Sequence, residues 1–124
     1  MTGRGWRSDY ADVGAAAHRV LVVEGHPIFR DGVVQCLSAE RDFTVVGTSD
    51  GIAFDAPQVA RLAPDLVLMD IELPERSGIE LTREIRAARP EARVAMLTGF
   101  ADADLLFGAM QAGAVGYLLK HTAA

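Results

Sequence analysis

Residues 66–74 read LVLMDIELP, four apolar residues running directly into Asp70, with an acid and a proline close behind. A short apolar run closed by a charge and a turn former is the pattern of a strand buried on both faces, and it leaves a carboxylate at the strand's carboxyl end. Working outward, comparable runs predict strands at Arg19–Glu24, Thr44–Thr48, Leu66–Asp70, Arg93–Thr98 and Val115–Leu119. Helical patterns lie between them. The first opens at Pro27, carries Phe29, Val33, Cys36 and Leu37 at helical spacing and ends near Ala39. The second, Ala56–Leu62, is weakly written, with Pro57 in its first turn and Gly51 before it. The third opens on Ser77 with Glu80 three places on, a capping-box spacing, and presents Leu81, Ile85 and Ala88. The fourth runs from Asp102, a good cap, to Gly113, which can supply a left-handed closing residue. Strands alternating with helices predict an α/β fold, a doubly wound parallel sheet of five strands in the order 2-1-3-4-5.

With 124 residues, half of them hydrophobic, the chain can build one core of ordinary domain size but not two. Met1–Ala17 is rich in Gly, Ala and charge and lacks periodicity, so residues 1–17 are expected to be a flexible arm and residues 18–124 the folded domain. A net charge of -5, with Lys and Arg scattered, leaves no basic footprint for a nucleic-acid backbone. The single Cys36 excludes an internal disulfide, and its apolar neighbours predict a buried thiol. No apolar run is long enough for a membrane span, and the first 17 residues lack the apolar core of a secretory signal, so a cytoplasmic location without membrane contact is expected. Only five residues follow Leu119, so a fifth helix is missing. The first and last helices of such a sheet usually share a face. Apolar surface beside the first helix should then be covered by something else, a second copy in a homodimer or the N-terminal arm, and the chain reads as a segment of a longer protein.

Ligands of open α/β sheets bind at the carboxyl ends of the strands, and the residues expected there converge on one chemistry. Glu24 ends the first strand, Asp70 the third and Thr98 the fourth, and Lys120 follows the fifth. A nucleophilic carboxylate, a second acid, a hydroxyl and an ammonium suit the uptake of a phosphoryl group. Asp70 would attack phosphorus, an acidic pair would hold Mg²⁺ through oxygen ligands, and Thr98 and Lys120 would meet the phosphoryl oxygens as charge builds.

These residues also carry a resemblance. LVLMDIELP with Gly78 is similar to the phosphorylation-site signature of response-regulator receiver domains in two-component systems, which have the flavodoxin-like fold. VLVVEGHPIFRDGV at 20–33 resembles the opening of the NarL/FixJ branch, which carries LuxR-type outputs, and GAVGYLLK at 113–120 resembles that branch's last strand and lysine. The resemblance covers about Arg19 to Lys120 and implies roles by position. Asp70 is the phosphoacceptor, Glu24 the first acid, Thr98 the switch hydroxyl, Tyr117 the switch aromatic, Lys120 the lysine, and Glu72 the residue whose backbone carbonyl binds metal. It implies phosphate from a histidine kinase or a small phosphodonor, a transcriptional output through a C-terminal DNA-binding domain, and no enzymatic activity of the chain's own. One position departs: Gly25 stands where the family has a second acid touching Mg²⁺. The metal is then expected to be weak or absent.

Two readings of function stand at this point. One is a receiver phosphorylated on Asp70; the other is an atypical receiver that acts without phosphate as a dimerisation or ligand-responsive module, with Gly25 as its support. A phosphatase of the haloacid dehalogenase type would carry its acidic pair after the first strand, and a flavin protein would need a Ser/Thr/Gly-rich loop after Glu24. Neither pattern is present. His18, His26 and His121 lack companions at ligand spacing and are expected in solvent. Phe29, Phe107 and Met110 are expected in the core, and Arg83, Arg86 and Arg89 on one solvated helix face.

Overall fold

The computed structural model describes residues 17–99 and 102–120; His121 and all but the last residue of the expected arm lie outside them. Strands β1 (His18–Val23), β2 (Phe43–Ser49), β3 (Leu66–Asp70), β4 (Arg93–Thr98) and β5 (Gly116–Leu119) alternate with helices α1 (Pro27–Ser38), α2 (Ala56–Leu62), α3 (Gly78–Ala88) and α4 (Ala103–Gln111). All neighbouring strands pair in parallel, and the sheet order is β2-β1-β3-β4-β5, as the sequence predicts. The chain passes outward to β2 and then back across β1 to β3. Loops leaving β1 and β3 therefore diverge and open a crevice at their carboxyl ends. β1 begins one residue earlier than expected and stops at Val23, with Glu24 just beyond it. The Glu24 N–H still donates to the Ser49 carbonyl at 2.9 Å, so the ladder carries on one step past the strand.

Side chains alternate across a strand, and here each alternate row enters a different core. Leu21, Val23, Val67, Met69, Val94 and Met96 pack with Val59, Leu81, Ile85 and Ala109 beneath α2, α3 and α4. Val20, Val22, Leu68 and Leu97 face the other way, towards Phe29, Val33, Val34 and Leu37 of α1. Helix ends follow local chemistry. The Ser77 hydroxyl caps α3 by accepting from the Ile79 N–H at 3.1 Å, but the expected capping box is only half used, because Glu80 pairs with Arg76 at 3.5 Å. Asp102 caps α4 through the N–H groups of Asp104 and Leu105, and Gly113 closes it with φ +112°.

The second face is the exposed one. No residue of α1 is buried, and an open groove of about 700 Å³ runs between α1 and β5, lined by Phe29, Val33, Leu37, Leu97 and Leu118 among others. Sequence reasoning anticipates this uncovered surface. It does not anticipate Cys36, which is exposed rather than buried, since periodicity shows the side of a helix a residue takes and not whether anything covers that side. Phe107 and Met110 likewise stand 65% and 47% exposed, because α4 packs chiefly beside α3 and buries only Ala109. Arg86 and Arg89 are not merely solvated: Arg86 donates to the carbonyls of Pro90 and Ala92, and Arg89 to Pro64 at 3.0 Å. Among the described residues no helix is long and apolar enough to cross a membrane.

Two glycines separate space from constraint. At Gly78 the α3 backbone presses against β3, and a Cβ would fall on the Asp70 carbonyl oxygen, well inside contact distance. At Gly32, in the middle of α1, nothing lies within 4 Å of an added Cβ. Urea denaturation should therefore show Gly78→Ala losing about 3 kcal/mol or more through a clash that only backbone movement relieves. Gly32→Ala should gain about 0.5–1 kcal/mol from helix propensity and lost unfolded-state freedom. A neutral Gly78→Ala would mean that α3 does not sit this close to β3.

Candidate functional site

Register brings the acids together. Val23 of β1 pairs with Met69 of β3, so the next residue along each, Glu24 and Asp70, emerge side by side. Both continue the alternate rows Val20–Val22 and Leu66–Leu68, and both are completely buried. The Lys120 N–H donates to the Thr98 carbonyl at 2.8 Å, extending the β4–β5 ladder past Leu119 and carrying the lysine to the same edge. Its ammonium reaches Glu24 Oε2 at 3.0 Å and Asp70 Oδ2 at 3.1 Å, with the side chain only 13% exposed. The Phe29 ring lies beneath, its centroid 5.2 Å from Nζ, adding a cation–π contact.

Remaining valences are filled mainly by backbone. The Glu72 N–H donates to Asp70 Oδ1 at 3.0 Å, and the Gly25 N–H approaches Oδ2 at 3.5 Å. Glu24 Oε2 accepts from the His26 N–H at 3.0 Å, and the His26 ring nitrogen Nδ1 is 2.8 Å away. Arg30 holds the Glu24 carbonyl at 2.8 Å. Glu24 Oε1 is buried without a hydrogen-bond partner.

Two buried carboxylates share one ammonium, and their titrations are driven apart. Burial, then the hydrogen bond and charge of Glu24, push the Asp70 carboxyl up from 3.8 to about 6. Burial also acts to raise Glu24, but hydrogen bonds with His26, Asp70 and Lys120 outweigh it and hold this carboxyl below its ordinary value.

Glu24, Asp70 and Lys120 thus meet as the sequence suggests, and Thr98 is buried at the end of β4, one step past the Asp70–Leu97 pair. Tyr117 is not drawn in; it pairs with Met96 further down the sheet and is 47% exposed. Glu72 is exposed and meets Asp70 through its N–H. Gly25 leaves room for a side chain, tightly, since a Cβ would lie 3.3 Å from the Pro74 ring. His26 faces solvent as expected, its ring two-thirds exposed, but it does not lack companions: Pro27 forces it into extended backbone (φ −97°, ψ 111°) and the side chain turns back to Glu24. The His-Pro pair directly after Glu24-Gly25 was the available signal.

Comparison with known proteins agrees with this geometry. The response regulator receiver domain family matches residues 20–124. The chain is 38% identical over 105 residues to the transcriptional regulatory protein YxjL of Bacillus subtilis, covering 84% of this chain and 48% of that protein. It is 33% identical to the DNA-binding transcriptional activator DevR/DosR of Mycobacterium tuberculosis, covering 82% and 47%. It therefore spans about half the length of the curated relatives it matches. Among solved structures, the signal receiver domain of the response regulator NarL from Mycobacterium tuberculosis superposes with a TM-score of 0.76 at 30% identity, covering 86% of each chain.

Because the folded state holds the Asp70 proton to about pH 6 and the unfolded chain releases it near 3.8, stability should fall as pH rises between those values and stay lowered above them. In metal-free buffer at pH 7, Asp70→Asn is expected to be more stable than wild type by on the order of 1–3 kcal/mol in urea titrations. The gain should shrink towards pH 4. An Asp70→Asn protein less stable than wild type at pH 7 would show that the ionised carboxylate stabilises the fold.

Proposed function

Given that this chain belongs to the response regulator receiver family, we propose that it accepts a phosphoryl group on Asp70 from a histidine kinase or a small phosphodonor and so controls a transcriptional output. The observation that carries the reading is the ammonium of Lys120 held 3.1 Å from Asp70 at the sheet's carboxyl edge, where it can follow the charge from the carboxylate to a bound phosphoryl group. The Asp70 oxygen attacks phosphorus, an acyl-phosphate bond forms, and the bond from phosphorus to the donor's leaving group breaks with its electrons going to that group. Asp70 must be ionised to attack, so its raised pKa favours the reaction above about pH 6.

Mg²⁺ has a partial fit in this pocket. The orphaned Glu24 Oε1 and the buried Asp70 are suitable hard oxygen donors, and the carbonyl of Glu72 would complete the set, but Gly25 contributes no carboxylate. When bound, the ion would neutralise the carboxylates and the incoming phosphoryl oxygens. Thr98 would meet the modified Asp70, and Tyr117 would report it at the α4–β5 surface. Half of each curated relative lies outside the matched region, and one of them is named a DNA-binding activator, which supports a C-terminal DNA-binding part in the whole protein. The protein would do this in the cytoplasm.

Intact mass after incubation with acetyl phosphate and Mg²⁺ tests the reading. Wild type should gain one phosphoryl group slowly. Gly25→Asp, which restores an acid beside the pocket, should label faster, by about tenfold or more if the new carboxylate is worth about 1.5 kcal/mol to the metal. Adding Asp70→Asn to either protein should abolish labelling. If Gly25→Asp and wild type label at the same rate, Gly25 has no bearing on the reaction; if Asp70→Asn still labels, Asp70 is not the acceptor.

A further inference from the structure

The pocket contains a nitrogen donor that the phosphoacceptor reading does not use. One ligand atom from each of Glu24, His26 and Asp70 lies within 4.8 Å of the others. His26 Nδ1 is 2.8 Å from Glu24 Oε2 and 3.7 Å from Asp70 Oδ2. Donors placed about 2.1 Å from one ion in tetrahedral array stand about 3.4 Å apart, a spacing these two distances bracket.

Two further observations point to a cation here. The Lys120 ammonium stands 3.0, 3.1 and 3.3 Å from these same three atoms, so a positive charge already occupies their meeting point. Glu24 is completely buried, and its Oε1 has no partner, leaving lone pairs for a ligand. Donor chemistry then decides which ion suits the site. At position 25 a glycine supplies no hard carboxylate, while the imidazole at position 26 adds a borderline nitrogen. Carboxylates and water suit Mg²⁺, whereas imidazole with carboxylates suits Zn²⁺ and its first-row neighbours.

We propose that Glu24, His26 and Asp70 form a nitrogen-and-oxygen site for a divalent ion of the borderline transition-metal class, typified by Zn²⁺, which competes with the Lys120 ammonium for the same three donors. His26 reaches solvent on its open side, giving the ion a path in. The site shares Asp70 with the phosphoacceptor reading but does not depend on it: metal binding is read by calorimetry and phosphoryl transfer by mass, so either can fail alone.

The test is calorimetric titration of the full chain with ZnCl₂ and with MgCl₂, carried out in a His18→Gln, His121→Gln background that removes the other histidines. Zn²⁺ should bind about a hundredfold or more tighter than Mg²⁺. His26→Gln should weaken Zn²⁺ by about ten- to a hundredfold while leaving Mg²⁺ within about twofold. Lys120→Met, which removes the competing ammonium, should tighten Zn²⁺. Thermal unfolding checks that each variant is folded, and the exposed His26 ring can be changed without opening the core. Unchanged Zn²⁺ affinity in His26→Gln, or equal affinity for the two ions in wild type, would overturn the proposal.

Discussion

Two carboxylates with no exposure to water and a single ammonium between them set the terms for the carboxyl edge of this sheet. Glu24 and Lys120 are 96 residues apart in the chain, so the contact exists only when β1, β3, β4 and β5 are all in register. Burying one charge without a partner costs several kcal/mol, and here three charges are removed from water together. One cation cannot neutralise two anions. Burial, with this mismatch added to it, raises the Asp70 pKa, and the backbone N–H groups of Glu72 and His26 and the His26 ring are drawn to the two carboxylates. A group left partly uncompensated is reactive towards any ligand that completes the balance, whether a metal ion or a phosphoryl group with its counter-charge.

The sheet that holds this edge is ordinary, and that ordinariness positions the acids. Valines and leucines alternate between two cores, and the rows facing α1 simply end in Glu24 and Asp70 where the apolar residues stop. Gly78 lets α3 lie directly against the Asp70 backbone, which limits how far the carboxylate can shift. Lys120 must reach from beside β5 past β4 to β3, and the Phe29 ring under its ammonium steadies that reach. Phe29 and Lys120 also line the open α1–β5 groove, so the charged edge and the uncovered apolar face share two side chains.

Much of this was legible in the sequence because strand ends follow directly from hydrophobic runs. LVLMD placed Asp70, and the ends of the runs at 93–98 and 115–119 placed Thr98 and Lys120 at the same edge. Other features depended on what lies opposite, which periodicity does not report. Cys36, Phe107 and Met110 take helical positions that look like core, yet α1 has an open flank and α4 buries only Ala109. His26 depended on a backbone direction. Only the extended conformation ahead of Pro27 turns a histidine at the mouth of a helix back towards the strand it has just left. Tyr117 matched a pattern by position and stands half exposed away from the cluster, since residues alternate along β5 and only the strand's end reaches the pocket.

The proposed destination of the phosphoryl group is the lysine-paired carboxylate of Asp70. Borohydride reduces an acyl phosphate to the corresponding alcohol, so phosphodonor-treated protein, reduced and digested, reveals the modified side chain by peptide mass. Reduction is expected at Asp70 and at no other acid, in wild type and more abundantly in Gly25→Asp. Reduction at a different carboxylate, or none in either protein, would contradict it.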